Sequence, residues 1–326
     1  MGIYRRSLGK LGLYVPEIGF GTSQIGNTDN RHQGVKYIPP NEAEKILTTA
    51  LEGGIDFFDT APNYGNAQKH LNNILKKYPE PVKGLVITSK AGLKIEHTRN
   101  FSHPFLLSQL EESLNNLQRE CLDLFQLNKP RMSDLKGGGL INFLSKLKTK
   151  GKIKHIGLIV GEIETGYEAI KSGKVDCLQI LHNLLYQETE DLIYQASKNG
   201  LGVIIRSPLN SGILTGTYNV NQKFADNDAR KNYFLGPEFK DRLRVVEAIQ
   251  KTLNIPDERL LEFSLSFILS NPGVSSVIPA ASTTNQMKRF VEFDRNYFSY
   301  STKEWKKIKS IISKLIKPLK QKFQFY

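Results

Sequence analysis

The chain has 326 residues, 39% of them hydrophobic, and 45 Lys+Arg against 32 Asp+Glu give it a net charge of +13. That apolar content suffices for a sizeable core, yet no uninterrupted apolar run approaches the ~20 residues of a membrane span. The start, Met1-Gly2-Ile3-Tyr4-Arg5-Arg6, has no apolar segment of the signal-peptide kind. Cys121 and Cys177 lack metal-ligand spacing with histidine, so a reduced, cytoplasmic setting is expected, with both thiols buried as small apolar residues.

Residues 3–16 read as a hairpin turned between Gly9 and Gly12. Short apolar strands then alternate with helical patterns. Strands are expected near 17–21, 56–60, 85–90, 122–128, 155–160, 177–182, 202–207 and 275–280. Helices are expected near 41–53, 66–78, 104–119, 138–150, 162–171, 188–199, 240–270 (broken at Pro256) and 284–294. This alternation predicts an α/β fold, a (β/α)8 TIM barrel whose floor the N-terminal β-hairpin caps. The expected layout is one domain over 1–326, with the cap at 1–16, the barrel at 17–295 and a tail at 296–326. Two long connections, Ser23–Pro40 and Asn210–Lys240, follow strands and so are placed over the active face of such a barrel.

The tail concentrates the charge. Residues 301–326 carry eight lysines against one acid, Glu304, a net +7. Within it Trp305, Ile308, Ile312, Leu315, Ile316 and Leu319 recur at helical spacing, and Pro318 ends or kinks that helix. A basic C-terminal helix docked on the barrel is the expected reading; the alternative is a surface helix that meets an anionic surface or a partner protein. The lysines lack an interleaved aromatic platform, so nucleic-acid binding ranks last.

The chemistry concentrates in Ile55-Asp56-Phe57-Phe58-Asp59-Thr60-Ala61-Pro62-Asn63-Tyr64-Gly65, a buried strand that runs into a turn. Asp59 ends the strand and Tyr64 lies in the turn. The next strand, Leu85-Val86-Ile87-Thr88-Ser89-Lys90, ends in a cation. Singly, Asp59 reads as a turn cap, Lys90 as a solvated strand end and Tyr64 as a packed aromatic. On consecutive strands of one barrel face they read as a proton donor, a lysine that favours its phenolate, and an acid that keeps the lysine charged.

The pattern Gly-Ile-Asp-Phe-Phe-Asp-Thr-Ala-x-x-Tyr-Gly followed by Ile-Thr-Ser-Lys resembles the aldo-keto reductase superfamily. Further pieces come in the same order: Tyr4–Gly9, Ile18–Thr22, Leu122–Leu127, Gly151–Gly157, Arg206–Leu209, Gly212–Gly216 and Val277–Pro279. The resemblance covers about residues 1–295. It implies an oxidoreductase that moves hydride between a nicotinamide cofactor and a carbonyl, with Tyr64, Lys90 and Asp59 in catalytic roles. The fourth strand of relatives ends in Leu-His, whereas this one ends Leu127-Asn128, so Asn128 is the expected carbonyl-positioning group and cannot titrate. A changed fourth residue also leaves open reduction of a conjugated C=C bond.

For the cofactor, the resemblance implies Gly21 and Thr22 at the first strand and Gln179 on the nicotinamide carboxamide. Arg206 would lie near the ring or pyrophosphate, and Ser207, Leu209, Asn210 and Ser211 would form a turn suited to phosphate oxygens. Ser282 and Gln286 would contact the adenosine end, helped by Thr283. The Ser-Asn pair that grips the carboxamide in relatives is Ile159-Val160 here. Cations usual around the adenosine 2′-phosphate are missing at Ala280, Ser282 and Gln286, with Lys288 or Arg289 as substitutes. NADP(H) is the expected cofactor and NAD(H) the alternative. His182, beside Asn183, could stand in for the missing histidine, although a strand-end histidine is more often structural. His32, His70 and His103 pair with no ligand set, so no metal site is expected. The departures also leave open a barrel that has lost redox chemistry and serves as a binding or regulatory protein. The polar long loops favour a small, hydroxylated or sugar-like carbonyl substrate.

Overall fold

The computed structural model describes residues 3–26, 37–78, 80, 82–94, 98–219, 221, 237–293, 298 and 300–320. A short antiparallel hairpin, β1 (Arg5–Ser7) and β2 (Tyr14–Pro16), comes first. Eight parallel strands follow in chain order: β3 (Phe20–Gly21), β4 (Phe57–Asp59), β5 (Val86–Ala91), β6 (Leu122–Asn128), β7 (Ile153–Ile159), β8 (Cys177–Leu181), β9 (Gly202–Arg206) and β10 (Ser276–Val277). An Ile18–Val277 parallel bridge joins the two ends of this sheet, and the Gly21 N–H donates to the Pro279 carbonyl at 2.9 Å. The expected (β/α)8 barrel with an N-terminal hairpin is therefore the observed fold.

Helices wrap the outside: α1 (Pro40–Glu52), α2 (Ala67–Leu75), α3 (His103–Leu117), α4 (Met132–Leu135), α5 (Gly139–Thr149), α6 (Ile163–Ser172), α7 (Glu190–Lys198), α8 (Pro237–Leu253), α9 (Leu260–Leu269) and α10 (Thr284–Val291). In α1 the residues Ala43, Ile46, Leu47 and Ala50 recur at helical spacing and are the buried ones, after a proline that opens the helix. The expected break at Pro256 falls between α8 and α9, where residues 257–259 form one 3-10 turn. The short α4 was not foreseen, because a four-residue helix has no periodicity to read.

Strand alternation sorts the side chains into two sets. Phe58, Ile87, Phe125, Leu178, Ile180 and Val203 face outward into the core shared with the helices. Phe57, Val86, Leu124, Cys177, Ile204 and Ile278 face inward at the barrel floor, where Leu8 and Val15 of the hairpin region complete their cluster. The hairpin thus plugs the floor. Arg6 fastens it by donating to the carbonyl oxygens of Leu269, Asn271 and Val274 at 2.6–3.1 Å and by pairing with Glu17.

The basic tail forms α11 (Thr302–Leu315) and α12 (Lys317–Lys320), opened by a Ser301–Glu304 capping box. Its stripe docks: Trp305, Ile308, Ile312, Ile316 and Leu319 are buried in the main core, with Leu315 packed at its margin. The surface-helix alternative would require that stripe to be free. Cys177 is fully buried as expected, while Cys121, in the connection just before β6, is only half-buried. No helix among the described residues is long and apolar enough to cross a membrane. Of the first long connection residues 27–36, and of the second residues 220 and 222–236, lie outside the described residues.

Candidate active site

Above the apolar floor the inward positions turn polar. Asp59 on β4, Thr88 and Lys90 on β5, Gln126 on β6 and Gln179 on β8 are all buried. Parallel register sets them side by side, with Asp59 level with Thr88 and Lys90 level with Gln126. Gly157, level with Gln126 on β7, leaves room for it: a Cβ there would come within 2.6 Å of the Gln126 Cγ.

Asp59 is the hub. Its Oδ1 receives the Lys90 ammonium. Its Oδ2 accepts from the Gln179 amide at 2.9 Å, the Gln126 amide at 3.1 Å and the Thr88 hydroxyl at 3.4 Å. The Gln179 amide nitrogen also donates to the Gln126 carbonyl oxygen at 3.2 Å. This set of donors answers both the charge and the lone pairs of the buried carboxylate. Lys90 is 3% exposed, and its ammonium is held above the usual lysine range. Burial alone would push it down; the Asp59 charge and the nearby Tyr64 phenol outweigh burial. The Lys90 Nζ lies 5.0 Å from the centre of the Tyr64 ring. The structure therefore brings Tyr64, Lys90 and Asp59 together.

Asn128 ends β6 beside them, 8% exposed and level with Ile159. Ile159 and Val160 are buried and offer only main-chain groups, as their side chains imply. Gln179 has both amide hydrogens committed to Asp59 and Gln126, which leaves its oxygen as the group for any further contact. Thr22 is fully buried and donates to the Asp59 carbonyl at 3.1 Å, while Gly21 lies against the Ile278 backbone. Both of these brace the rim. His182 is 1% exposed, with Nδ1 3.2 Å from the Thr189 hydroxyl, Nε2 3.5 Å from Glu190 and its ring stacked on Phe267. Its contacts are those of a structural residue. His103 stacks on Phe143. Among the described residues no group of three or more potential metal ligands occurs.

After β9 the chain makes a tight turn. Ser207, Asn210, Ser211 and Gly212 all take positive φ, 52°, 45°, 55° and 94°. The Asn183 amide donates to the Ser207 carbonyl at 3.0 Å, and Leu209 is buried beneath. The Asn210 side-chain nitrogen is buried with no hydrogen-bond partner among the described residues. Arg206 lies at the head of this turn and donates from Nη2 to the Val160 carbonyl at 3.2 Å. At the other side of the mouth Thr283 caps α10, and Gln286 accepts from both the Ser282 N–H (2.8 Å) and its hydroxyl (3.1 Å). A residue overlooked in the sequence, Glu42 of α1, occupies the start of α10. Its Oε1 accepts from the Thr284 N–H at 2.7 Å and the Thr284 hydroxyl at 2.9 Å, and these bonds hold its carboxyl below the usual range. Arg289 is turned to Glu258 and Glu262.

Comparison with known proteins agrees with this geometry. The sequence profile of the Aldo/keto reductase family matches residues 17–313. L-galactose dehydrogenase of Arabidopsis thaliana is 28% identical over 302 residues, covering 88% of this chain and 86% of the relative. D-threo-aldose 1-dehydrogenase of a Pseudomonas species is 25% identical over 313 residues, covering 86% and 90%. In fold, the holo form of an aldo-keto reductase from Bacillus halodurans superposes with a TM-score of 0.74 at 20% identity, over 95% of this chain and 96% of that one. The barrel, its inward Asp–Lys–Tyr group and the length of the profile match lead to one conclusion: the chain belongs to the Aldo/keto reductase family and is an oxidoreductase.

Proposed function

We propose that this barrel interconverts a carbonyl and an alcohol on a hydroxylated, sugar-like substrate, using a nicotinamide cofactor. The observation that carries this reading is the buried Asp59–Lys90 pair with the Tyr64 ring centred 5.0 Å from the same ammonium. A barrel without proton-transfer chemistry gains nothing from burying such a group. The sugar-like substrate is suggested by the names of L-galactose dehydrogenase and D-threo-aldose 1-dehydrogenase, which match over most of their length.

A nicotinamide cofactor, when bound, would supply the hydride to the carbonyl carbon or take it up in the reverse direction. In the reducing direction Tyr64 donates its hydroxyl proton to the carbonyl oxygen, and Lys90 stabilises the negative charge that develops on the phenol oxygen. Asp59 fixes Lys90, and Gln126, Gln179 and Thr88 fix Asp59. Asn128 offers an amide N–H to the carbonyl oxygen, a positioning contact that carries no titratable proton. In the oxidising direction each proton step runs backwards.

The residues suit a dinucleotide at its phosphate end. The orphaned Asn210 amide and the Ser207–Ser211 turn are groups that phosphate oxygens would satisfy. They suit the carboxamide end less well, since Ile159 and Val160 offer no side-chain hydrogen bond. Glu42 bears on the choice between cofactors. A helix N-terminus attracts phosphate, but here a carboxylate already occupies it. This favours NAD(H), without the 2′-phosphate, over NADP(H). Fluorescence titration with NADH and NADPH tests both points. NADH should bind in the micromolar range, and Glu42→Gln should strengthen NADPH binding about tenfold with NADH little changed, the equivalent of roughly 1.4 kcal/mol. Failure of either nucleotide to bind at millimolar concentration would remove the oxidoreductase mechanism. Tighter NADPH than NADH binding in the unaltered protein would remove the role given to Glu42.

A further inference from the structure

Where the basic tail docks on the outer wall of the barrel it leaves a cavity of about 710 Å³. Three helices frame it, through Glu190 and Tyr194 on α7, Ser266 on α9, and Trp305, Lys306 and Lys309 on α11. The α7 pair and the α11 set each span a single turn, so each presents one helix face to the same space. None of these residues belongs to the candidate active site. The volume lies in the range of small-molecule sites, roughly 300–1,000 Å³. Its walls are held in place. Trp305 meets Tyr300 edge to face, with ring centres 5.1 Å apart, and tilts over Phe263 at 5.9 Å. Arg6 of the hairpin fixes the Leu269 and Asn271 carbonyls of the wall at 2.6 and 3.1 Å.

The charges around this cavity do not cancel. Glu190 is the one acid among the described lining residues, and its oxygens are engaged. Oε1 accepts from the Lys309 ammonium at 2.5 Å and the Asn271 amide at 3.4 Å, and Oε2 lies 3.5 Å from the His182 ring nitrogen. Lys309 is taken by that contact. Lys306 is exposed and has no ion pair among the described residues. Lys303, Lys307 and Lys314 of the same helix are exposed too, so the field over the opening is positive. The apolar part of the lining is largely aromatic, and Tyr194 is 57% exposed beside it. The Ser266 hydroxyl in this wall is buried without a hydrogen-bond partner among the described residues.

We propose that this cavity is a second binding site, separate from the barrel mouth, that takes a small aromatic carboxylate. The ring of such a ligand lies among Tyr194, Tyr300 and Trp305, and its carboxylate meets Lys306. A neutral aromatic would use the rings alone, and a cation would be opposed by Lys306. An aromatic anion uses both features of the site. The site does not depend on the carbonyl chemistry proposed above.

Trp305 is the only tryptophan of the chain, so its emission reports on this cavity. The probes are 4-phenylbutyrate and its neutral counterpart 4-phenylbutan-1-ol, titrated into the unaltered protein, Lys306→Met, Lys306→Arg and Tyr194→Ala. Calorimetry repeats each affinity, and sedimentation velocity is run on the ligand-free proteins. All three substitutions fall at exposed positions, where the fold is retained. 4-Phenylbutyrate should change Trp305 emission saturably with a Kd below about 1 mM, about three- to tenfold tighter than the alcohol. Lys306→Met should abolish that preference with alcohol affinity within about twofold, and Lys306→Arg should restore it. Tyr194→Ala should weaken both probes together. No saturable change with either probe, or equal affinity for the two, overturns the proposal. So does a preference unchanged in Lys306→Met, which would place the anion elsewhere. A dimer in sedimentation that Tyr194→Ala dissociates would also overturn it, by giving this face to a second copy of the chain.

Discussion

Replacing Asp59 with Asn removes one charge from the centre of the barrel and strands another. Lys90, 3% exposed, loses the carboxylate that keeps it protonated against burial, the largest influence on it. Breaking a buried ion pair from one side costs about 3–5 kcal/mol, because the remaining charge is left uncompensated. The Asn amide also meets a crowded set of donors. Gln126, Gln179 and Thr88 now donate to Oδ2, and an Asn cannot accept from them and from Lys90 with one oxygen while turning its own N–H groups away. Lys90→Met should cost a similar amount by leaving Asp59 unpaired. The double variant should lose clearly less than the two single losses added together, with a coupling on the order of 3 kcal/mol. Urea unfolding followed by far-ultraviolet circular dichroism measures all four proteins. Single losses below about 1 kcal/mol, or strictly additive losses, would refute the buried-pair reasoning.

Asn128→His restores a titratable donor at the fourth strand, and carbonyl turnover should rise by up to a few hundred-fold, a gain of about 3 kcal/mol in the transition state; no change in kcat/KM would show that the position does not touch the reacting oxygen. His182 sets a pH dependence of stability. Burial and Lys309 hold it at about 4 despite Glu190, below its ordinary 6.5. A depressed histidine is neutral in the fold, so its stability contribution is full above about 6.5 and is lost as pH falls toward 4, a drop of about 3 kcal/mol. His182→Gln should flatten the fall in urea midpoint between pH 7.5 and 4.5, and parallel curves for the two proteins would count against this.

Much of the fold could be read from the chain because period-two strands and amphipathic helices alternate without interruption. Asp59 and Lys90 were readable for the same reason, as polar residues at the ends of consecutive apolar strands, with Tyr64 in the turn that follows the first. Gln126 and Thr88 could also have been found. They share strand parity with Leu124 and Val86, so a polar residue there must face the barrel interior and needs a partner. Gln179 was assigned to the cofactor, and its position on the Asp59 carboxylate could not be seen, because the hub depends on register between β4, β6 and β8. Glu42 was invisible for another reason: it sits on α1, 242 residues from Thr284, and only the closing of the barrel ring brings the two together.

The account depends most on the Tyr64 hydroxyl as the proton donor. Steady-state turnover of a carbonyl and alcohol panel with NADH or NAD, run alongside nucleotide fluorescence titration, tests this in wild type and Tyr64→Phe. Tyr64→Phe should lower kcat by about 10²- to 10⁴-fold while nucleotide affinity stays within about twofold. Turnover in Tyr64→Phe equal to that of the unaltered protein would contradict the central claim.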